Sequence, residues 1–76
     1  MTDRTLDARN LGCPLPILKS KRALKDVPVG GILEVLATDP GSPDDFVAFC
    51  DSTGNTLIGQ DLAEDGAYRF LIRRMR

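Results

Sequence analysis

Gly12-Cys13-Pro14-Leu15-Pro16 sets one thiol between a glycine and a proline, with a second proline two residues further on. Pro14 pushes Cys13 out of the α region toward extended geometry, which is what a helix N-cap residue needs. Pro14 itself then suits the first helical position. The first four N–H groups of a helix have no internal acceptor, and Pro14 and Pro16 remove two of them. The Leu15 N–H remains and is expected to point back at the Cys13 sulfur. A thiol over the positive end of a helix favours its anion, so the spacing predicts a lowered Cys13 pKa. Arg9, three residues before the motif, could add to that effect. A thiolate is both nucleophile and leaving group in sulfur exchange.

The rest of the chain narrows that chemistry. There is no histidine, and the only other cysteine is Cys50. A C-x-x-C dithiol of the thioredoxin kind is therefore not offered. A Cys–His pair for acyl transfer is excluded, and no donor set for zinc or haem is visible. Cys50 falls on the same helical face as Phe46 and Phe49 and reads as a small core residue. Whether Cys13 and Cys50 approach closely enough for a disulfide is left open, because sequence does not give their separation.

The elements that must position Cys13 follow from periodicity and punctuation. Thr5–Ala8 reads as a first strand, and Arg9–Gly12 as a loop. Pro14–Lys25 reads as a helix with Leu15, Ile17, Leu18, Ala23 and Leu24 as apolar positions, although Lys21 falls inside that arc. Ile32–Thr38 alternates as a strand. Asp39-Pro40-Gly41 is a turn, and Ser42-Pro43-Asp44-Asp45 opens a second helix with Ser42 as N-cap and Pro43 at the first helical position. Phe46, Phe49, Cys50 and Thr53 form its inner stripe, and Gly54 stops it. Asn55–Leu62 and Ala67–Arg73 read as strands around a Glu64-Asp65-Gly66 turn. The order β-α-β-α-β-β predicts an α+β fold: a mixed four-stranded sheet with two helices on one face, a two-layer sandwich.

The chain of 76 residues is the length of one small domain, with residues 1–4 expected to be a flexible N-terminus. Apolar residues make up 42% and charged ones 28%, an ordinary water-soluble balance. No apolar run approaches the roughly 20 residues that span a bilayer, and the first residues carry no secretory h-region. A reduced, cytoplasmic setting is therefore expected. The net charge of −1 hides a segregation: residues 1–38 carry +2, residues 39–66 carry −7 and residues 67–76 carry +4. Lys19, Lys21, Arg22 and Lys25 are either a solvated helix face or a docking surface. In the docking reading, Lys19 and Arg22 frame the approach to the thiol; Arg73-Arg74-Met75-Arg76 either extends the patch or is a frayed terminus.

The whole chain resembles the TusA-like (SirA-like) sulfur-carrier family. The match runs over residues 5–74. It is carried by Leu6-Asp7-Ala8-Arg9-Asn10-Leu11-Gly12-Cys13-Pro14-Leu15-Pro16, and later by Val35–Pro40, Asp44-Asp45-Phe46, Phe49-Cys50, Gly54–Leu57 and Gly66–Arg73. The resemblance implies a sulfane sulfur held as a transient persulfide on Cys13, with no resident cofactor and no metal. It implies a donor such as a cysteine desulfurase or a rhodanese. The acceptor would be a relay protein in tRNA thiolation, molybdenum-cofactor synthesis or sulfur oxidation. Such a carrier is a transfer protein rather than a stand-alone enzyme, and a monomer that releases its partners. Leu15 departs from the family, which commonly places an acidic or similar polar residue between the two prolines. A different class, an RNA-binding or regulatory module without covalent chemistry, is suggested only by fold-level analogy and the basic helix. A pI near 5.2 and the lack of aromatic residues among the cations argue against a nucleic-acid partner.

Overall fold

The computed structural model describes residues 2–76. Its elements are β1 (Arg4–Ala8), α1 (Leu15–Leu24), β2 (Ile32–Ala37), α2 (Ser42–Thr53), β3 (Thr56–Leu62) and β4 (Tyr68–Arg73). The sheet order is β1-β2-β4-β3. β1 and β2 are parallel, and β4 runs antiparallel to both β2 and β3. β1, β2 and β3 therefore point one way. Each helix connects two of these strands and must run back along the sheet, so both helices start at the same end of it. This is the α+β two-layer sandwich expected from the element order. α1 packs against β1 and β2, and α2 against β3 and β4.

Alternation decides the inner face of the sheet. Leu33, Val35 and Ala37 of β2 are fully buried, as are Phe70 and Ile72 of β4. Register sets Val35 opposite Phe70 and Leu33 opposite Ile72, so these side chains share one face. Phe46 of α2 stacks on Phe70 with ring centroids 4.5 Å apart, and meets Phe49 edge-on at 6.3 Å. Truncating Phe46 to alanine is expected to cost about 3–5 kcal/mol. At the end where both helices start, the paired residues are Ala8 and Ala37, each 0% exposed. Small side chains there let the two strand-to-helix connections approach closely.

Two features of α1 differ from the periodicity reading. Its buried face is Pro16, Ser20, Ala23 and Leu24, while Leu15 and Leu18 are exposed at 44% and 55%. The face turns this way because Ser20 is tolerated inside: its hydroxyl donates to the Pro16 carbonyl at 2.7 Å. The polar type of Ser20 concealed a core position, and the apolar type of Leu18 suggested one. Leu15 and Leu18 instead lie on the exposed side of α1.

Two of the first residues are tied to the sheet. Asp3 exchanges two bonds with Ile32, its N–H donating to the Ile32 carbonyl at 2.8 Å and its carboxylate accepting the Ile32 N–H at 2.7 Å. Arg4 belongs to β1 and pairs with Asp26 at 3.0 Å. Pairing satisfies backbone groups that would otherwise need water. Met1 lies outside the described residues.

Candidate functional site

Cys13 lies at the turn between the C-terminal end of β1 and the start of α1. Asn10 has a positive φ of 67°, and its N–H donates to Thr38 Oγ1 at 2.8 Å, tying this loop to the end of β2. The Cys13–Pro14 peptide bond is cis, and the Leu15 N–H donates to the Gly12 carbonyl at 2.9 Å. This closes a four-residue turn with Cys13 and Pro14 at its tip. Cys13 is exposed, Cys50 is buried, and both are free thiols. No bond joins the two sulfurs, which answers the question the sequence left open.

The local geometry overturns one expectation. Pro14, with φ −101° and ψ 18°, is the N-cap, and no side chain caps the helix. Cys13 is one residue outside that position. The Leu15 N–H is spent on Gly12, and the Leu18 N–H on the Pro14 carbonyl at 3.1 Å. With Pro16 lacking an N–H, the Ile17 amide is the first-turn donor left without an acceptor among the described residues. The helix therefore offers the sulfur far less than the motif suggested.

The thiol instead faces carboxylates. Cys13, Pro14 and Ile17 look across an open cleft of about 390 Å³ at Asp45, Ala48 and Phe49 of α2. A hydrogen bond to Asp45 raises the Cys13 pKa above its ordinary value; the Asp45 charge, partial desolvation and the Asp39 charge act in the same direction. A nearby anion disfavours a second anion.

Asp39 and Asp45 are held in place by the β2–α2 turn. The Gly41 N–H donates to Asp39 Oδ2 at 3.0 Å, and the Asp45 N–H to the Gly41 carbonyl at 3.0 Å. A Cβ at Gly41 would stand 3.1 Å from the Asp39 carboxylate and 3.7 Å from that of Asp45, so both carboxylates converge there. The turn also shifts the helix start. The N-cap of α2 is Gly41, with Ser42 and Pro43 one position deeper than expected. Ser42 Oγ is buried without a hydrogen-bond partner among the described residues.

The other sequence candidates spread out. Arg9 pairs with Asp7 at 2.9 Å and with Asp65 at 2.6 Å, so it braces β1 against the β3–β4 turn and is not free to support the thiol. Lys19 and Arg22 line a separate depression against β1, with Leu6 and Asp26. Gly12, Pro14, Leu15 and Pro16 form the turn and first helical residues, with Pro16 buried as an anchor. Asp45 and Phe49 are the site residues that sequence reasoning missed. The signal was available: parallel strands joined by helices on one face bring both helix starts together, beyond the carboxyl ends of the strands. Asp44 and Asp45 were read only as part of the segment that opens α2.

The fold and this site describe a class: a small two-layer sandwich that presents one accessible thiol where the chain passes from its first strand into its first helix. Residues 4–74 match the family described as sulfurtransferase TusA, and the chain belongs to that family. It is 49% identical over 72 residues to the sulfur carrier protein TusA of Allochromatium vinosum, covering 95% of this chain and 93% of that one. It is 40% identical to the sulfur carrier protein TusA of Pseudomonas entomophila, covering 95% and 89%. The crystal structure of a SirA-like protein from Desulfitobacterium hafniense superposes with a TM-score of 0.81 at 23% identity, over 96% of this chain and 99% of that one, and shares the fold.

Proposed function

We propose that this protein is a sulfur carrier that holds sulfane sulfur as a persulfide on Cys13. The observation that carries the reading is the contrast between the exposed Cys13 at the turn and the buried Cys50. The absence of histidine supports transfer between cysteines over hydrolytic chemistry. The names of the relatives point the same way.

In the transfer step the Cys13 sulfur attacks the outer sulfur of a donor persulfide. The donor S–S bond breaks, and a new S–S bond forms on Cys13. The donor sulfur leaves with the electron pair and takes up the proton that Cys13 loses, so no outside oxidant or reductant is needed. A second exchange, with Cys13 as leaving group, hands the sulfur to an acceptor cysteine. A cysteine desulfurase or a rhodanese suits the donor role, and a relay protein with an accessible cysteine suits the acceptor. Asp45 has a part in this cycle: facing the unloaded sulfur across the cleft, it favours the neutral thiol until a partner arrives.

Incubation with a cysteine desulfurase and free cysteine is expected to add the mass of one sulfur atom. Cys13→Ser should abolish the gain, and Cys50→Ser should keep it. Sulfur retained on Cys13→Ser would overturn the reading.

A further inference from the structure

The cleft at Cys13 does not end at Phe49. Phe49 also lines a second cleft of about 150 Å³, bordered by Lys21, Leu24, Lys25, Arg74 and Arg76. Because α1 and α2 start at the same end of the sheet, the two clefts are successive stretches of one interhelical groove. Its floor is apolar: Ile17 in the first stretch, Phe49 in both, Leu24 in the second. Asp45 borders the thiol end, and Asp39 adds its charge there. Four cationic side chains line the far end, and no carboxylate side chain does. Arg74 is fixed in place by donating to the Leu24 and Val27 carbonyls at 3.2 and 2.7 Å and, through Nε, to the Arg76 backbone oxygen at 2.6 Å. Those bonds also occupy carbonyls that would repel an anion.

The charges therefore run from negative to positive along the groove. Lys21 and Lys25 lie roughly 12 and 18 Å beyond Cys13, at about 1.5 Å of rise per residue. An extended chain covers about 3.3 Å per residue, so that span is roughly four to six residues. We propose that the groove seats an extended segment of a partner protein whose reactive cysteine meets Cys13 and whose acidic side chains follow at that spacing. This rests on the carrier reading of Cys13 and names the chemistry of its partner. The docked segment is neutral or basic beside its cysteine, because acid there would meet Asp45 and Asp39.

The test uses two synthetic peptides, each with one cysteine activated as a nitropyridyl disulfide and neutral residues around it. One carries a glutamate run at the stated spacing, the other a lysine run. Cys13 attacks the peptide sulfur, a mixed disulfide forms, and the coloured nitropyridine thiolate leaves. The glutamate peptide is expected to react roughly tenfold faster at low salt, with the advantage shrinking as salt is added. The double variant Lys21→Glu/Lys25→Glu should abolish the advantage. Lys19→Glu/Arg73→Glu, which changes the net charge equally but lies outside the groove, should keep it. Lys21→Gln/Lys25→Gln should weaken the advantage, and serves if reversed charges disturb α1. Equal rates for the two peptides overturn the proposal. So does equal loss in both charge-reversed variants, or no loss in the first. Sulfur loading is scored separately by mass, so the docking proposal and the carrier reading fail independently.

Discussion

Cys13 and Cys50 are the same chemical group restrained by different means. Both thiols sit above their ordinary pKa. Burial, with a smaller push from Asp51, takes Cys50 to about 11. At Cys13 the rise comes first from the hydrogen bond to Asp45 and then from charge. The two causes differ in how they can be undone. Burial of Cys50 beneath α2 is relieved only by opening the core. A carboxylate beside an exposed thiol is neutralised by any cation that docks against it. Restraint by Asp45 is therefore compatible with a thiol that acts on encounter, and restraint by burial is not. Pairing at Asp45 on docking would free the thiolate when the partner is in place.

The largest expected effect tests that contrast directly. Under native conditions an alkylating reagent should modify Cys13 readily and Cys50 about a thousandfold more slowly or beyond, since Cys50 reacts only through opening of the core. Mass analysis of peptides, native and in guanidinium, checks it. Comparable native rates would break the comparison. The next effect is on stability. Cys50→Ser buries a hydroxyl beside Phe46 and Phe49 and should cost about 1–3 kcal/mol. Cys13→Ser, at an exposed turn, should stay within about 0.5 kcal/mol. Thermal unfolding separates the two, because 1 kcal/mol moves the midpoint of a domain this size by roughly 4–8 °C. A smaller effect sharpens the electrostatic half. Asp45→Asn should lower the titration midpoint of Cys13, followed by thiolate absorbance, and speed its alkylation near neutral pH. Cys50 should not respond. An unmoved Cys13 midpoint would mean that Asp45 does not restrain the thiol.

The sequence disclosed these two regions unevenly, for physical reasons. Cys50 was legible because Phe46, Phe49 and Cys50 recur at helical spacing, and periodicity reports burial well. The sheet was legible from the alternation in Ile32–Thr38 and Ala67–Arg73. The place of Cys13 just before a helix was legible from the two prolines that follow it. Its electrostatics were not, because they depend on a residue from the next helix. The start of α1 was misplaced by one residue because the Leu15 N–H had two possible acceptors, the Cys13 sulfur and the Gly12 carbonyl. A full carbonyl bond outcompetes a weak sulfur acceptor. The inward face of α1 was misread at Ser20, where a local bond to Pro16 hides the polarity. Lys19 and Arg22 were chosen over Lys21 and Lys25 by the same error of rotation.

Arg9 carries the smallest expected effect, and it delimits the thiol's neighbourhood. Its hydrogen bonds are the main cause that takes Asp7 from an ordinary 3.8 to about 2, and they also help lower Asp65, after the Ala67 N–H. A carboxylate whose folded pKa is depressed contributes stability above its unfolded pKa and loses it as pH falls through the folded value. For Asp7 that window lies between 3.8 and about 2. Arg9→Gln should therefore lessen the fall in stability across that window, leaving the parts due to the residue-9 N–H on Asp7, the Ala67 N–H on Asp65, and Glu34, which is held down by Arg69 and Thr5. The carboxylates involved are exposed, so the change is small and further reduced by salt. Urea unfolding at stepped pH measures it. In the same variant the alkylation rate of Cys13 should be unchanged, because the groups facing that sulfur are Asp45 and Asp39 and the Arg9 guanidinium is committed to Asp7 and Asp65. A shift in Cys13 reactivity on Arg9→Gln would mean that the brace between β1 and the β3–β4 turn reaches the thiol, and that Asp45 and Asp39 do not act on it alone.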